Sequence, residues 1–158
     1  YASLIKVPTP ILHWQLTAFS TRQLDINSWS DLKPFKVGYE RGMTIIAEHS
    51  ELTLLPANSI ESAILQASKG RVDVLLNDDF TTRYNLRRMG VENLIANPTP
   101  LAPGPAFHLL NSKHQKLAEQ LNEVLLEMTA NDRIRQIKDE VIEDFMRKAE
   151  QEYRQEQP

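Results

Sequence analysis

The chain has 158 residues, 41% of them apolar, and a formal net charge of −3 from 18 basic and 21 acidic side chains. That is enough apolar material for a packed core, and the charges are too evenly mixed to attract a phosphate backbone, so no nucleic-acid partner is expected. The lack of cysteine excludes disulfides, thiol catalysis and thiolate metal sites, and no run of about 18 apolar residues is present to cross a bilayer.

The chain opens on Tyr1-Ala2-Ser3-Leu4, with no initiator Met and no basic-then-apolar leader, as expected of a mature or truncated product. Pro8 and Pro10 divide residues 4–20 into a connector or edge strand and a period-two strand, Trp14-Gln15-Leu16-Thr17-Ala18-Phe19. Ser28 and Asp31 predict a capped helical turn at 28–32. Residues 31–79 form the organising stretch: a strand at 35–40, a turn at Arg41-Gly42, a helix from Met43 to His49, a strand at 52–55, a helix from Asn58 to Lys69-Gly70, and a strand at 72–79. Short Val- and Leu-rich runs separated by helical patterns predict an α/β fold with a mostly parallel sheet flanked by helices. In such sheets ligands lie beyond the carboxyl ends of the strands. Those ends carry Tyr39, Arg41, Gly42, Met43 and Thr44 on one strand and Asn77, Asp78 and Asp79 on another.

A third helix, 80–89, closes at Gly90 and exposes Arg83, Arg87 and Arg88, most simply as a solvated face and in the minority reading as a docking surface. Four prolines in 98–105 predict a crossing or linker and rule out a central strand. A strand at 106–110 follows. Ser112-x-x-Gln115 then predicts the cap of a long amphipathic helix that uses Leu117, Leu121, Val124, Leu125 and Met128, and a second helix from Asp132 uses Ile134, Ile137, Val141, Ile142 and Phe145. Past Arg147 the chain is nearly all polar and is expected to fray or to continue as a solvated helix.

The segment Ser30-Asp31-Leu32-Lys33-Pro34-Phe35-Lys36-Val37-Gly38-Tyr39-Glu40-Arg41-Gly42, the pattern Ala63-x-x-x-Ala67-x-x-Gly70-Arg71-Val72-Asp73-Val74-Leu75, and the strand and helix over 107–137 resemble a bacterial periplasmic solute-binding protein of the polar amino-acid type. The resemblance runs over residues 4 to about 145 and implies two α/β lobes joined by two hinge strands and closing on a small solute. On this reading 1–12 is a hinge or connector, 13–96 the ligand-binding second lobe, 97–111 the second hinge crossing, 112–148 the C-terminal helices returning to lobe one, and 149–158 a polar tail. It implies that Gly42-Met43-Thr44 matches the turn that receives a ligand carboxylate, with Met43 in place of the usual hydroxyl residue. Asp78 matches the acid that pairs with a ligand ammonium, with Asn77 or Asp79 able to share that task and Arg41 and Tyr39 able to set side-chain preference. It further implies no cofactor and no catalysis, a periplasmic or extracellular location, and a membrane partner that is an importer of the ABC transporter type or a sensor. It also implies that the chain begins at the first hinge, without the N-terminal half of lobe one, so that either the sequence is a fragment or another chain covers its C-terminal helices, and self-association through those helices is expected.

Other readings stand beside these. Acids after a strand commonly cap the next helix, which gives Asp78 and Asp79 a structural role as well. His13, His49, His108 and His114 have neither the spacing nor the carboxylate neighbours of a metal site, and Ser20, Ser28 and Ser112 have no base or elbow context. A dehydratase-like enzyme on the same scaffold would have to draw its acid or base from Asp78, Asp79 or Glu40. A sensor module of a receptor or regulator is the other alternative.

Overall fold

The computed structural model describes residues 3–155; residues 1–2 and 156–158, the outer ends of the expected connector and tail, lie outside the described residues. In chain order the elements are β1 (Leu4–Lys6), β2 (Leu12–Ser20), a 3-10 turn (Trp29–Leu32), β3 (Lys36–Glu40), α1 (Thr44–Ala47), β4 (Thr53–Ala57), α2 (Ile60–Ser68), β5 (Val74–Asp78), α3 (Asp79–Met89), β6 (Ile95–Ala96), β7 (Ala102–Ala106), β8 (Leu109–Asn111), a second 3-10 turn (Ser112–His114), α4 (Gln115–Ala130) and α5 (Arg133–Gln155). The chain divides into two compact units: Gln15–Pro103 with the residues from Met146 onward, and the residues up to Trp14 with Gly104–Phe145.

The larger unit is built on the sheet order β4-β3-β5-β2-β6. β3 pairs in parallel with β4 and β5, as the helical crossovers require, and β2 then runs antiparallel to β5. Val37, Val74, Leu75 and Leu76 have no exposed surface, because both faces of these strands are covered. On one face Phe19, Ala57, Leu75 and Val72 pack against Ile60, Ala63, Ile64 and Ala67, the apolar stripe of α2. Ser59 caps that helix by accepting the Ser62 N–H at 3.3 Å. Asp31 Oδ2 accepts the N–H groups of Asn27 (3.0 Å) and Ser28 (2.9 Å) and the Ser28 hydroxyl (2.9 Å), which anchors the first 3-10 turn.

Several elements differ from their sequence-based expectation. The helix expected over 43–49 is the single turn Thr44–Ala47. The proline-rich crossing includes a strand, β7, paired with β2; Pro103 and Pro105 are both exposed, so their missing donors remove nothing from a ladder. Ser112 does not cap α4. Asn111 accepts the Lys113 N–H at 3.1 Å, and the chain makes a 3-10 turn before α4 begins. The three arginines of α3 all find partners: Arg83 with Asp79, Arg87 with Glu150, and Arg88 with Glu61. The polar stretch past Arg147 continues as α5 and docks on α3, with Ala149 fully buried. Gly90 sits at φ 64 and closes α3 with the Val91 N–H bonded to the Leu86 carbonyl at 2.9 Å. A Cβ at Gly90 would collide with the Tyr153 ring, so this glycine is required both by its conformation and by the docked helix.

The smaller unit pairs β1 antiparallel with β8, with Ile5 opposite Leu110. Its core is Val7, Ala118 and Leu125, flanked by Ile5, Ile11, Leu110, Leu121 and Ile134. Asn122 Oδ1 on α4 accepts both the Thr9 N–H (3.0 Å) and the Thr9 hydroxyl (2.8 Å), which ties the helix to the entering chain.

Glu61 links α2 to α3 through Arg88 at 2.7 Å. Its own backbone N–H, the Ser59 hydroxyl and Arg88 hold its carboxyl below the ordinary value of 4.5 against a smaller opposing effect of burial. A carboxyl lowered in the folded state contributes stability above the unfolded pKa, and that contribution is lost as pH falls through the folded value. Glu61→Gln should therefore lower stability at pH 7 by less than about 1 kcal/mol, since the pair is partly exposed, and should flatten the loss of stability on acidification below pH 4.5. Urea titrations at pH 7 and at acid pH check both.

Candidate functional site

The parallel strands bring the turns after β3, β4 and β5 to one edge of the larger unit. Tyr39 is opposite Leu76 in the register, so Asp78 and Arg41 stand level, each two residues further along neighbouring strands. Adjacent strands lie about 4.8 Å apart.

On the β3 side, Arg41 donates its backbone N–H to the Ala57 carbonyl at 2.8 Å, and its exposed side chain makes no ion pair among the described residues. Gly42 has φ 104, and no described atom lies within 4 Å of where its Cβ would stand. The turn thus needs glycine for its backbone and is open in front. Met43 donates its N–H to the Glu40 carbonyl at 3.3 Å, and its carbonyl accepts from Ile46 and Ala47. Thr44 is exposed and opens α1, where the N–H groups of Thr44 and Ile45 precede any intrahelical acceptor. A single helical turn sums few peptide dipoles, so these N–H groups, and not a macrodipole, are what the turn offers an anion. Tyr39 lies behind the edge, 8% exposed, on the face of the sheet that carries Val37 and Leu76.

On the β5 side, Asp78 ends the strand and caps α3. Its Oδ1 accepts both the N–H and the hydroxyl of Thr81 at 2.8 Å, and its carbonyl accepts the Thr82 hydroxyl at 2.8 Å. Two donors fill the lone pairs of Oδ1, which leaves Oδ2 as the oxygen with capacity for a further donor. Asp79 is engaged differently: its Oδ2 accepts from Arg83 Nε at 2.8 Å, and the Arg83 guanidinium stands 5.9 Å from the Phe19 ring centre. Asn77 is 3% exposed, and its Oδ1 accepts the backbone N–H of Asp78 at 2.8 Å. The edge therefore brings together Arg41, Gly42, Thr44 and Asp78, with Tyr39 and Asn77 buried behind it and Asp79 turned into its own helix. Thr81 was not singled out from the sequence, although Asp-x-x-Thr at a strand-to-helix junction has the spacing of a cap and its partner. Among the described residues no cluster of metal-ligating side chains is present.

Taken together, the edge presents one fixed carboxylate on β5 beside a cation that has no ion pair among the described residues and the open N–H groups that follow β3. No protein-family model and no curated protein matches the sequence, but solved structures do. The ligand-binding core of GluR0 in complex with L-glutamate superimposes with a TM-score of 0.69 at 18% identity, over 94% of this chain and 64% of that one. An amino-acid ABC transporter substrate-binding protein, AbpA of Streptococcus pneumoniae bound to L-arginine, gives 0.68 at 14% identity over 94% and 63%. A histidine kinase sensor domain with similarity to periplasmic binding proteins gives 0.68 at 15% over 87% and 67%. The chain has their fold, and it spans 63–67% of the length of these structures.

Capping and ligand anchoring by Asp78 are separable by substitution. Asp78→Asn keeps an equally good cap and should change stability by less than about 0.5 kcal/mol, whereas Asp78→Ala should cost about 0.5–2 kcal/mol. Thermal and urea unfolding of the two variants, compared side by side, check the difference.

Proposed function

We propose that this chain carries the ligand-binding lobe of a solute-binding protein that takes a small zwitterionic solute, an amino acid by class, for import or sensing and without chemical conversion. The observation that carries this reading is the Asp78 carboxylate, held by Thr81 with Oδ2 open, one strand away from Arg41, Gly42 and the free N–H groups at Thr44 and Ile45. An amino acid has an ammonium and a carboxylate a few ångströms apart, and the two sides of the edge, about 4.8 Å apart, match that pair in sign and spacing. A single open oxygen suits the point charge of an ammonium better than the fork of a guanidinium. Neighbours complexed with L-glutamate and L-arginine support the same class of solute.

A sensing role is favoured by the histidine kinase sensor domain among the structural neighbours, and an import role by the transporter substrate-binding protein. Both imply a membrane-bound partner and a periplasmic or extracellular location. An enzymatic role is disfavoured by how the acids are used: Asp79 is paired with Arg83, and the one open oxygen of Asp78 is taken by the ligand ammonium on this reading, which leaves Glu40 as the remaining acid or base of the three candidates.

Titration of the chain with L-glutamate, L-arginine and L-glutamine, followed by NMR, should move the amide signals of 41–45 and 78–81 first. Asp78→Asn should weaken the tightest of these by about 1.5–3 kcal/mol, the range for a hydrogen bond to a charged group. Equal affinity in the variant would place the amine anchor elsewhere.

Self-association also belongs to this proposal. The smaller unit has few buried side chains, while Leu117, Val124 and Leu126 of α4 are 51%, 50% and 54% exposed. Burying such residues fully is worth roughly 1.5–3 kcal/mol each, so these 158 residues alone should associate through α4. Light scattering checks this, and a monodisperse monomer at high concentration would refute it.

A further inference from the structure

The geometry points to Asn77 as a positioning residue: buried beneath the binding edge, it fixes the backbone of Asp78 and thereby the direction of the one open carboxylate oxygen. The inference rests on the reading of Asp78 as the ligand anchor.

Successive residues of a strand face opposite sides of the sheet. Leu75 lies in the core under α2, so Asn77 points to that side, and Leu76 and Asp78 point to the other. A ligand at Asp78 therefore meets Asn77 only through the chain. Asn77 is an unusual choice for that place. It is 3% exposed and pairs in register with Thr17, itself 2% exposed. Neither Asn77 Nδ2 nor Thr17 Oγ1 has a hydrogen-bond partner among the described residues. A buried donor without a partner is destabilising, and a leucine, with the same branched outline, would remove the penalty in a layer that already holds Leu75 and Phe19. What the asparagine supplies in return is one bond, from the Asp78 N–H to Asn77 Oδ1 at 2.8 Å.

That bond completes the restraint of Asp78 from all sides. Asn77 takes its N–H, Thr82 donates to its carbonyl, and Thr81 donates twice to Oδ1. The backbone at Asp78 is held at φ −57 and ψ 132, the hinge between strand and helix. With main chain and Oδ1 both fixed, Oδ2 has one direction, and a ligand ammonium meets an acceptor that needs no reordering. Polar groups left costly in a core are most often kept where they serve a site, and Asn77 fits that pattern.

The test uses three variants of the whole chain: Asn77→Leu, Thr17→Val and Asp78→Asn. Hydrogen exchange read by NMR needs no ligand, and in Asn77→Leu the Asp78 amide should exchange at least about tenfold faster while α2 amides keep their protection. In the amino-acid titrations, Asn77→Leu should lower affinity about fivefold with an unchanged or higher melting temperature, and Thr17→Val should leave affinity unchanged. In the Asp78→Asn background, Asn77→Leu should cause no further loss. An Asp78 amide equally protected in Asn77→Leu overturns the proposal, as does an equal loss of affinity in Thr17→Val, which would mark a general effect of core packing. Full affinity in Asp78→Asn would instead defeat the underlying anchor reading, while the exchange result would still report whether Asn77 holds the backbone.

Discussion

The parallel pairing of β3 with β5 is the constraint on which the larger unit depends. Both strands are covered on both faces, and Val37, Val74, Leu75 and Leu76 are removed from water completely. Parallel strands need crossovers, and the crossovers place α2 on one face and bring every outgoing turn to the same edge. Register follows from the same burial. A slip of one residue in β5 would move Leu75 and Asn77 to the opposite face and drive the Asp78 carboxylate into the core beneath α2. The cost of burying that charge excludes the slip, so the position of the candidate anchor is set by the packing of its apolar neighbours.

Asp78 shows how a fold element and a candidate site can share one side chain. A helix start needs an acceptor for its free N–H groups, and the strand-to-helix junction at Asp78 supplies it. Capping consumes only one of the two carboxylate oxygens, which leaves the other ordered and available. The neighbouring acid has no such division of labour: Asp79, one residue on, faces Arg83 along its own helix and is neutralised there. On the β3 side the demand is for backbone shape, and Gly42 meets it with a positive φ and empty space in front of it.

The two ends of α3 are held by unlike means. Its start is a charged cap, and its finish is Gly90 in a left-handed conformation under the ring of Tyr153. Arg87 with Glu150, and Tyr84 Oη with Glu152 at 3.5 Å, add polar contacts along the same seam. Exposed ion pairs contribute little by themselves. Ala149, with no exposed surface, is the better indication that the last turns of α5 belong to the body of this unit.

Much of this was legible in the sequence because it is local. The short strand-like runs at 35–40 and 72–79, the α2 stripe of Ile60, Ala63, Ile64 and Ala67, and the glycine closing α3 are patterns that a few neighbouring residues determine by period and backbone shape. The edge carrying Arg41, Gly42, Thr44 and Asp78 followed from strand direction alone. What remained open depended on partners far away in the chain. Whether Asn77 stands open at the edge or is buried behind it is decided by its pairing with Thr17, sixty residues earlier. The polar run past Arg147 has too little apolar surface to predict docking, and only the space above Gly90 gives Tyr153 a place to pack. Composition and period determined which segments are strands and helices; side-chain burial at the edge was decided by tertiary packing, because a polar residue's exposure depends on what is placed against it.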